Sequence, residues 1–226
     1  MLEHKTITNV DEYIETLKDH LTTILPPIKT KPGEKLIRLS ILWRETLLHR
    51  IVDLASVAKD MFKDGRLVPG CTLTRSLYET VAMEYYLFTK VQTAIDKRST
   101  DEIHKIVISG FFGSRDGSSR ENSLQVLTAI DHIDKKYDCI RSEYDHLCEY
   151  AHPNMKGGFG TYTKIDIPSM SVEFGQNPQK IPIVAFGLGA LEIILIVAID
   201  VHKELLQVED TFSKLIYDLA PGKYKD

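Results

Sequence analysis

A run of residues without proline or glycine, from Glu34 to about Lys63, constrains the fold more than any other feature of the sequence. Apolar side chains recur through it at steps of three and four residues, which is the spacing of one face of an α-helix. The pattern predicts one amphipathic helix of close to thirty residues. Elements of this kind bury their apolar face against other helices, so the run favours a helical bundle.

Other segments predict further helices around this one. We expect a first helix near residues 10–24, capped by Asn9 or Asp11, and a central third helix from about Pro69 to Lys90, whose apolar residues run nearly all the way round. A short fourth helix is expected near 100–109, and residues 122–151 form either one bent helix or two helices joined near Lys136. A helix over 181–208 and a short C-terminal helix complete the chain.

The segment at about 159–175 alternates weakly between polar and apolar residues and follows a pair of glycines. This pattern predicts a small β-hairpin. The predicted inward positions are Ile165, Ile167, Val172 and Phe174. The predicted fold class is therefore all-α, an antiparallel helical bundle with one small inserted hairpin.

Residues 181–199 carry a single charge, Glu192, and are long enough to span a bilayer. Placing a carboxylate in the middle of a bilayer costs about 3 kcal/mol of free energy on insertion scales. A fully buried central helix fits the same pattern. Buried helix, membrane span and subunit interface remain open, and together with the long second helix this segment favours a homodimer.

Composition limits the class of protein. The chain has 226 residues, 43% of them hydrophobic, which predicts one domain over residues 1–226. Its net charge of −4 argues against a protein that coats nucleic acid. Three cysteines without a CxxC pair and a polar start without a signal-peptide pattern lead us to expect a cytoplasmic protein.

The stretch YDHLCEYAHPNMKG, residues 144–157, concentrates the side chains that could carry chemistry. At 100° per residue, one stripe of this helix is apolar and predicts the core face, and a second stripe about 100° away is polar. The second stripe fits either a helix that lines a groove or an ordinary boundary face. Its members are Arg141, Asp145, Cys148 and His152.

His152, Pro153 and Asn154 also form a helix stop. A residue before proline is disfavoured in the α region, which places His152 at the helix C-terminus. There the helix dipole favours a protonated imidazole. Asn154 can cap the exposed backbone groups, and Gly157 lets the chain turn away. This purely architectural interpretation accounts for the turn without any function.

Arg141 and His146 have the spacing R-x4-H. This spacing resembles the signature of the HEPN superfamily, helical-bundle proteins that include many metal-independent ribonucleases of toxin and antiphage systems. The resemblance implies that a 2′-hydroxyl of RNA attacks its own phosphodiester while histidine handles the proton and arginine holds the charge. Those residue types suit these roles.

A broader resemblance covers roughly residues 70–200. The motifs Arg75–Glu79, Gly113–Arg115, Ala129–His132 and Tyr144–Asn154 are similar to uncharacterised bacterial helical proteins grouped with domain-of-unknown-function family 5677. This resemblance implies no established activity. It marks His152, and not His146, as the histidine of the motif.

Two further groups of polar residues have open interpretations. Arg75 and Glu79 are spaced i,i+4 on the predicted central helix, so they form either a structural ion pair or part of a polar site, with His152 or Tyr144 as candidate partners. Arg115 and Arg120 lie in a Gly/Ser-rich loop whose amides could hold an anion. The spacing of His146, Cys148 and His152 does not favour a metal site, and no cofactor is expected.

Three functions remain open at this point. The first is a non-enzymatic helical module that binds a small ligand or a protein partner through the polar cluster. The second is a metal-independent ribonuclease of a defence or toxin–antitoxin system, with His152 as acid/base, Arg141 or Arg75 on the phosphate, and Tyr144 and Asn154 positioning it. The third is a membrane-associated component.

Overall fold

The computed structural model of the chain describes residues 2–27, 33–175 and 181–223. Its elements confirm the predicted all-α class with one small antiparallel hairpin. They are, in chain order, α1 (Leu2–Lys18), α2 (Glu34–Lys63), α3 (Leu67–Lys97), α4 (Asp101–Phe112), α5 (Val126–Asp134), α6 (Ile140–Ala151), a π-helical turn (Met155–Phe159), α7 (Gly160–Tyr162), β1 (Thr163–Asp166), β2 (Ser171–Phe174) and α8 (Ile181–Lys223).

Helix α3 is the central element, as its nearly continuous apolar circumference predicts. It packs against α2, α4, α5, α6 and α8, while α1 covers the other side of α8. Leu77, Tyr78, Val81 and Ala82 of α3 are fully buried. The hydroxyl of Tyr78 donates a hydrogen bond of 3.0 Å to the carbonyl oxygen of Ala190 in α8, which satisfies the one polar atom of that side chain in the core.

The first helix differs from its predicted range of 10–24. It runs from Leu2 to Lys18, so Asn9 and Asp11 lie inside it and cap nothing. The amide nitrogen of Asn9 instead donates to the carboxylate of Glu192 at 2.7 Å. The lone charge of the apolar segment is thus paired from a helix at the opposite end of the sequence.

Two other helices are longer than predicted. Helix α3 continues from Lys90 to Lys97, because Val91 and Ala94 extend its buried face. The predicted helix over 181–208 and the short C-terminal helix are one helix, α8. No proline or glycine interrupts it between residues 190 and 220, and Pro182 lies in the first turn, where its missing N–H is tolerated.

The chain over residues 126–151 forms two helices and not one bent helix. Helix α5 ends at Asp134, and Cys139 adopts a left-handed backbone conformation with φ of 74°. The carboxylate of Asp134 accepts a 2.9 Å hydrogen bond from the backbone N–H of Arg141. This bond satisfies one of the free N–H groups at the start of α6.

The hairpin is present, but the prediction of its inward face is wrong. The strands pair Ile165 with Val172 and Thr163 with Phe174, and Gly175 N–H closes the base on the carbonyl of Tyr162. Ile165, Ile167, Val172 and Phe174 are 50%, 76%, 44% and 83% exposed. Alternation correctly identified one apolar face, but the helices contacting α3 leave this face uncovered.

Helix α8 combines core burial with an apolar composition. Among the described helices, α8 alone is long and apolar enough to cross a membrane. The mean hydropathy of its most apolar 18 residues is 2.4, and half of that stretch is buried inside the protein. Leu188, Leu191, Ile194 and Leu195 lie in the core. Core helices of water-soluble proteins have the same composition, so this feature alone carries little weight for a membrane span.

Gly187 and Gly189 on α8 give a matched test of this packing. A Cβ at Gly187 would lie 2.4 Å from the buried ring of Phe62, whereas a Cβ at Gly189 meets no atom within 4 Å. We expect Gly187→Ala to lower the free energy of unfolding by about 1–3 kcal/mol through overpacking. Gly189→Ala should raise it by about 0.5–1 kcal/mol, because alanine is the better helix former. Urea unfolding of both variants measures the difference, and equal effects would contradict the packing of α8 on α2.

Candidate polar site at the seam of two helices

Arg75, Glu79, Tyr144 and Cys148 meet where α3 packs on α6, and we call these four residues the seam cluster. Arg75 Nη2 donates to Glu79 Oε1 at 3.2 Å, and the Tyr144 hydroxyl donates to the same oxygen at 2.9 Å. The Arg75 guanidinium also lies 5.9 Å from the centre of the Tyr144 ring. Of the two partners that the sequence suggested for the Arg75–Glu79 pair, the structure brings Tyr144 into contact.

The side chains of the seam cluster are better suited to hydrogen bonding with a ligand than to nucleophilic attack. Burial, followed by the hydrogen bond to Glu79, raises the pKa of Tyr144 to about 12, so the phenol stays protonated and acts as a donor. Burial also raises the pKa of the Cys148 thiol, although the charge of Arg75 opposes the shift. A thiol with a raised pKa is a poor nucleophile at neutral pH.

Arg75 retains unused hydrogen-bonding capacity. Its Nε atom is buried and has no hydrogen-bond partner, a property shared among the described residues only with Glu84 Oε2. About a third of the Arg75 side chain is nevertheless exposed. An unpaired buried donor costs roughly 1–3 kcal/mol, and that cost is relieved when an acceptor reaches it.

Arg141, the candidate phosphate ligand on α6, is occupied by carboxylates. Its guanidinium bonds Asp131 on α5 through Nη1 and Asp145 through Nε, the latter at 3.1 Å to both carboxylate oxygens. These hydrogen bonds, first to Asp145 and then to Asp131, raise the pKa of Arg141 further. A phosphate would have to compete with two negative charges, which disfavours Arg141 as a phosphate clamp.

The two candidate histidines lie on the surface. His146 is exposed, with its ring edge-on to Phe186 at 5.9 Å between centroids. His152 is exposed at the end of α6, with φ of −85° and ψ of 145°. No hydrogen bond to either ring is found among the described residues. A general acid or base is ordinarily oriented by a third group, and neither histidine has one here.

The turn after α6 is held by hydrogen bonds between the Asn154 side chain and nearby backbone groups. The side-chain oxygen of Asn154 accepts hydrogen bonds from Lys156 N–H and Gly157 N–H at 3.0 Å each, and its amide donates to Glu149 at 2.9 Å. Asn154 thereby caps the π-helical turn. A Cβ at Gly157 would lie 2.2 Å from the carbonyl oxygen of His152, so the turn requires glycine there. These contacts support the architectural interpretation of the His-Pro-Asn motif.

Arg115 and Arg120 are exposed in the loop between α4 and α5. Asp116 accepts from Ser118 N–H at 3.0 Å, and a bridge joins Ser114 to Asn122. Within the described parts of the chain, neither arginine bonds a residue of the seam cluster. The sequence-predicted site residues therefore fall in separate places: the seam, the exposed surface of α6 with Arg141 and His146, the turn after α6 with His152 and Asn154, and this loop.

Sequence reasoning missed a second polar group, the pair of Glu84 on α3 and His202 on α8. Both side chains are almost completely buried, and His202 Nδ1 lies 2.7 Å from Glu84 Oε1. The ring of His20 lies 5.3 Å from that of His202. A glutamate within the apolar circumference of a central helix was a signal that such a partner exists, although 118 residues separate the two.

A buried cation on α2 was missed as well. Arg44 is 7% exposed and bonds both Glu45 beside it and Glu209 on α8. Glu45 also accepts a 3.0 Å hydrogen bond from the backbone N–H of Thr22, which follows α1. This network ties three segments of the chain together. Pairing is what permits charges to be buried at such a junction.

No group of three or more histidine, cysteine, aspartate or glutamate residues able to hold a metal ion is found among residues 2–27, 33–175 and 181–223. No family model, curated protein or solved structure matches the chain. The seam cluster is accordingly interpreted from its geometry.

Glu79 lies in the seam cluster and His152 is exposed, so replacing them should change the free energy of unfolding by different amounts. We expect Glu79→Ala to lower the free energy of unfolding by about 1–3 kcal/mol, because it leaves Tyr144 and Arg75 without their shared acceptor. His152→Ala, at an exposed position, should change it by no more than about 0.5 kcal/mol. Chemical denaturation measures both, and the reverse order would show that His152 and not Glu79 satisfies the seam.

The Glu84–His202 pair gives a stronger prediction. His202→Ala leaves a buried carboxylate without its partner and should cost about 3–5 kcal/mol of unfolding free energy. His104→Ala, at an exposed position on α4, is the matched control and should cost no more than about 0.5 kcal/mol. A His202→Ala variant as stable as the control would mean that the pair contributes nothing to the core.

Proposed function

We propose that this chain is a non-enzymatic helical binding module of a bacterial cytoplasmic protein, and that the seam cluster contacts a ligand carrying an oxyanion. The observation that carries the proposal is the Arg75 side chain, which is partly exposed yet holds a buried Nε–H without an acceptor. The ligand class follows from the donor. A guanidinium presents a planar fork of N–H groups that fits carboxylate or phosphate oxygens.

The surroundings of Arg75 support binding with a fixed geometry. Glu79 accepts one hydrogen bond from the Arg75 guanidinium and one from the Tyr144 hydroxyl, and the Tyr144 ring lies beside the guanidinium. Since these partners are themselves mostly buried, little rotational freedom remains to be lost when a ligand arrives. An oxyanion at Nε would satisfy the buried donor of the arginine that lacks a partner.

Catalysis has weaker support. Arg141 is neutralised by Asp131 and Asp145, and the imidazoles of His146 and His152 are oriented by no carboxylate or carbonyl among the described residues. General acid–base catalysis requires the proton-transfer group to lie within hydrogen-bond reach of the reacting atom. These placements favour recognition over chemistry.

The alternative function is the metal-independent ribonuclease that the HEPN resemblance implies. One observation favours it: His152 ends α6 four residues after Cys148, a member of the seam cluster. The net charge of −4 counts against an RNA substrate.

Anion-dependent stability tests the proposal. We expect inorganic phosphate or acetate at high millimolar concentration to raise the Tm of the wild-type protein at constant ionic strength, because a ligand that binds only the folded state stabilises it. The effect should be lost in Arg75→Gln and reduced in Arg75→Lys, which keeps the charge but not the fork. Arg115→Gln, in the exposed loop, is the matched control and should respond like wild type.

A parallel assay separates binding from catalysis. RNA is incubated with wild type and His152→Ala in EDTA, and we expect neither protein to cleave it. Cleavage by wild type that is lost in His152→Ala, with 2′,3′-cyclic phosphate ends, would replace the binding proposal by the ribonuclease. In the stability experiment, a Tm of wild type that does not rise with phosphate or acetate, or a rise that persists in Arg75→Gln, would overturn the proposed role of the seam cluster.

A further inference from the structure

The segment from Met155 to Gly175 carries an apolar surface that no described part of the chain covers. In the hairpin, the pairs Ile165–Val172 and Thr163–Phe174 lie on one face, while Lys164–Glu173 and Asp166–Ser171 lie on the other. The pattern is that of a sheet whose one face packs against something. The turn residues Ile167 and Met170 between the strands are also apolar and exposed.

The exposed area is large for a protein of this size. Eight large apolar side chains of this segment are between 40% and 83% exposed. For side chains of their size this amounts to an area on the order of 800 Å². The largest apolar patch on a typical monomer is roughly 300–600 Å², and larger patches mark interaction sites. The eight are Met155, Phe159, Tyr162, Ile165, Ile167, Met170, Val172 and Phe174.

The hairpin also needs support that residues 2–27, 33–175 and 181–223 do not supply. An isolated two-stranded hairpin is marginally stable in water and requires a third strand or a packed face. Its strands are largely exposed, the turn before it is capped by Asn154, and the hydrogen bond from Gly175 N–H to the Tyr162 carbonyl only closes the base of the hairpin within the same segment. A partner on the apolar face would supply the missing burial.

We propose that the apolar face of this hairpin docks on the same face of a second copy of the chain. The segment 155–175 contains two lysines and two carboxylates, so its net charge is zero. Lys164 and Glu173 neutralise each other across the polar face at 3.6 Å. An uncharged apolar face offers no complementarity to a nucleic acid or to a charged peptide, but it is complementary to itself.

The size of the face fits this occupant. Each partner of a standard stable interface buries about 800 Å², which is the order of the apolar area that the hairpin and the turns at Met155–Tyr162 expose together. A two-fold dimer places the same patch on both partners, so each hairpin covers the other and both are satisfied at once. Aromatic side chains and methionine are the types enriched at the centre of such interfaces.

A lipid surface is a poorer occupant for the same face. Apolar segments that rest on membranes combine their buried side chains with lysine and arginine that meet anionic headgroups. Here Lys156 and Lys164 are offset by Asp166 and Glu173. The segment therefore lacks the electrostatic attraction that holds a peripheral protein at an anionic bilayer.

Sedimentation equilibrium of the full chain tests the proposal. We expect wild type to be dimeric at micromolar concentration, and Phe174→Glu or Ile167→Asp to raise the dimer dissociation constant roughly thirty-fold or more, as loss of an interface hot spot does. Both residues are more than 70% exposed in the single chain, so their replacement should leave the far-UV circular dichroism and Tm of the monomer unchanged. Ile196→Glu, at a half-exposed position on α8, is the matched control and should dimerise like wild type.

Three results would overturn the docking of hairpin on hairpin. The first is a wild-type protein that stays monomeric at tens of micromolar. The second is a dimer dissociated by Ile196→Glu but not by Phe174→Glu, which would place the interface on α8. The third is flotation of monomeric wild type with vesicles of neutral and anionic phospholipid, lost in Phe174→Glu, which would assign the face to a membrane.

Discussion

The central packing of α3 is the constraint on which the rest of the structure depends. This helix contacts five others, and a polar side chain that it buries needs a hydrogen-bond partner close by. Tyr78 finds the backbone of Ala190, Glu84 finds His202, and Glu79 finds Tyr144. Specific polar contacts, as well as apolar packing, therefore hold α6 and α8 against α3.

The same constraint explains why α6 is polar up to its last turn. Its inner face supplies Tyr144 to the seam, and its outer face balances Arg141 against two carboxylates. The helix then stops at His152, and Asn154 and Gly157 shape the turn that leads into the hairpin. The α6 residues of the seam cluster and the exposed apolar hairpin therefore lie on one continuous stretch of chain. The His-Pro-Asn turn separates them.

Much of the fold could be predicted because it is encoded locally. The bounds of α2 follow from the glycines on either side of it, and the central position of α3 follows from its composition. Contacts between distant residues could not be predicted. Asn9 was expected to cap α1 because nothing in the sequence shows that Glu192 lies beside it, and the Glu84–His202 pair is invisible for the same reason. Alternation defined the apolar face of the hairpin, yet it cannot tell whether the same chain covers that face.

We propose that Arg75 is held ready for an acceptor, since the described parts of the chain provide none for its Nε–H. The most direct measurement is the arginine Nε–H region of the ¹H–¹⁵N spectrum, recorded while inorganic phosphate is added, with Arg75→Lys to assign the resonance. We expect the Arg75 Nε–H resonance to shift strongly as phosphate is added, while that of Arg141, already bonded to Asp145, stays in place. An Arg75 resonance that does not respond to phosphate would contradict the proposed role of Arg75.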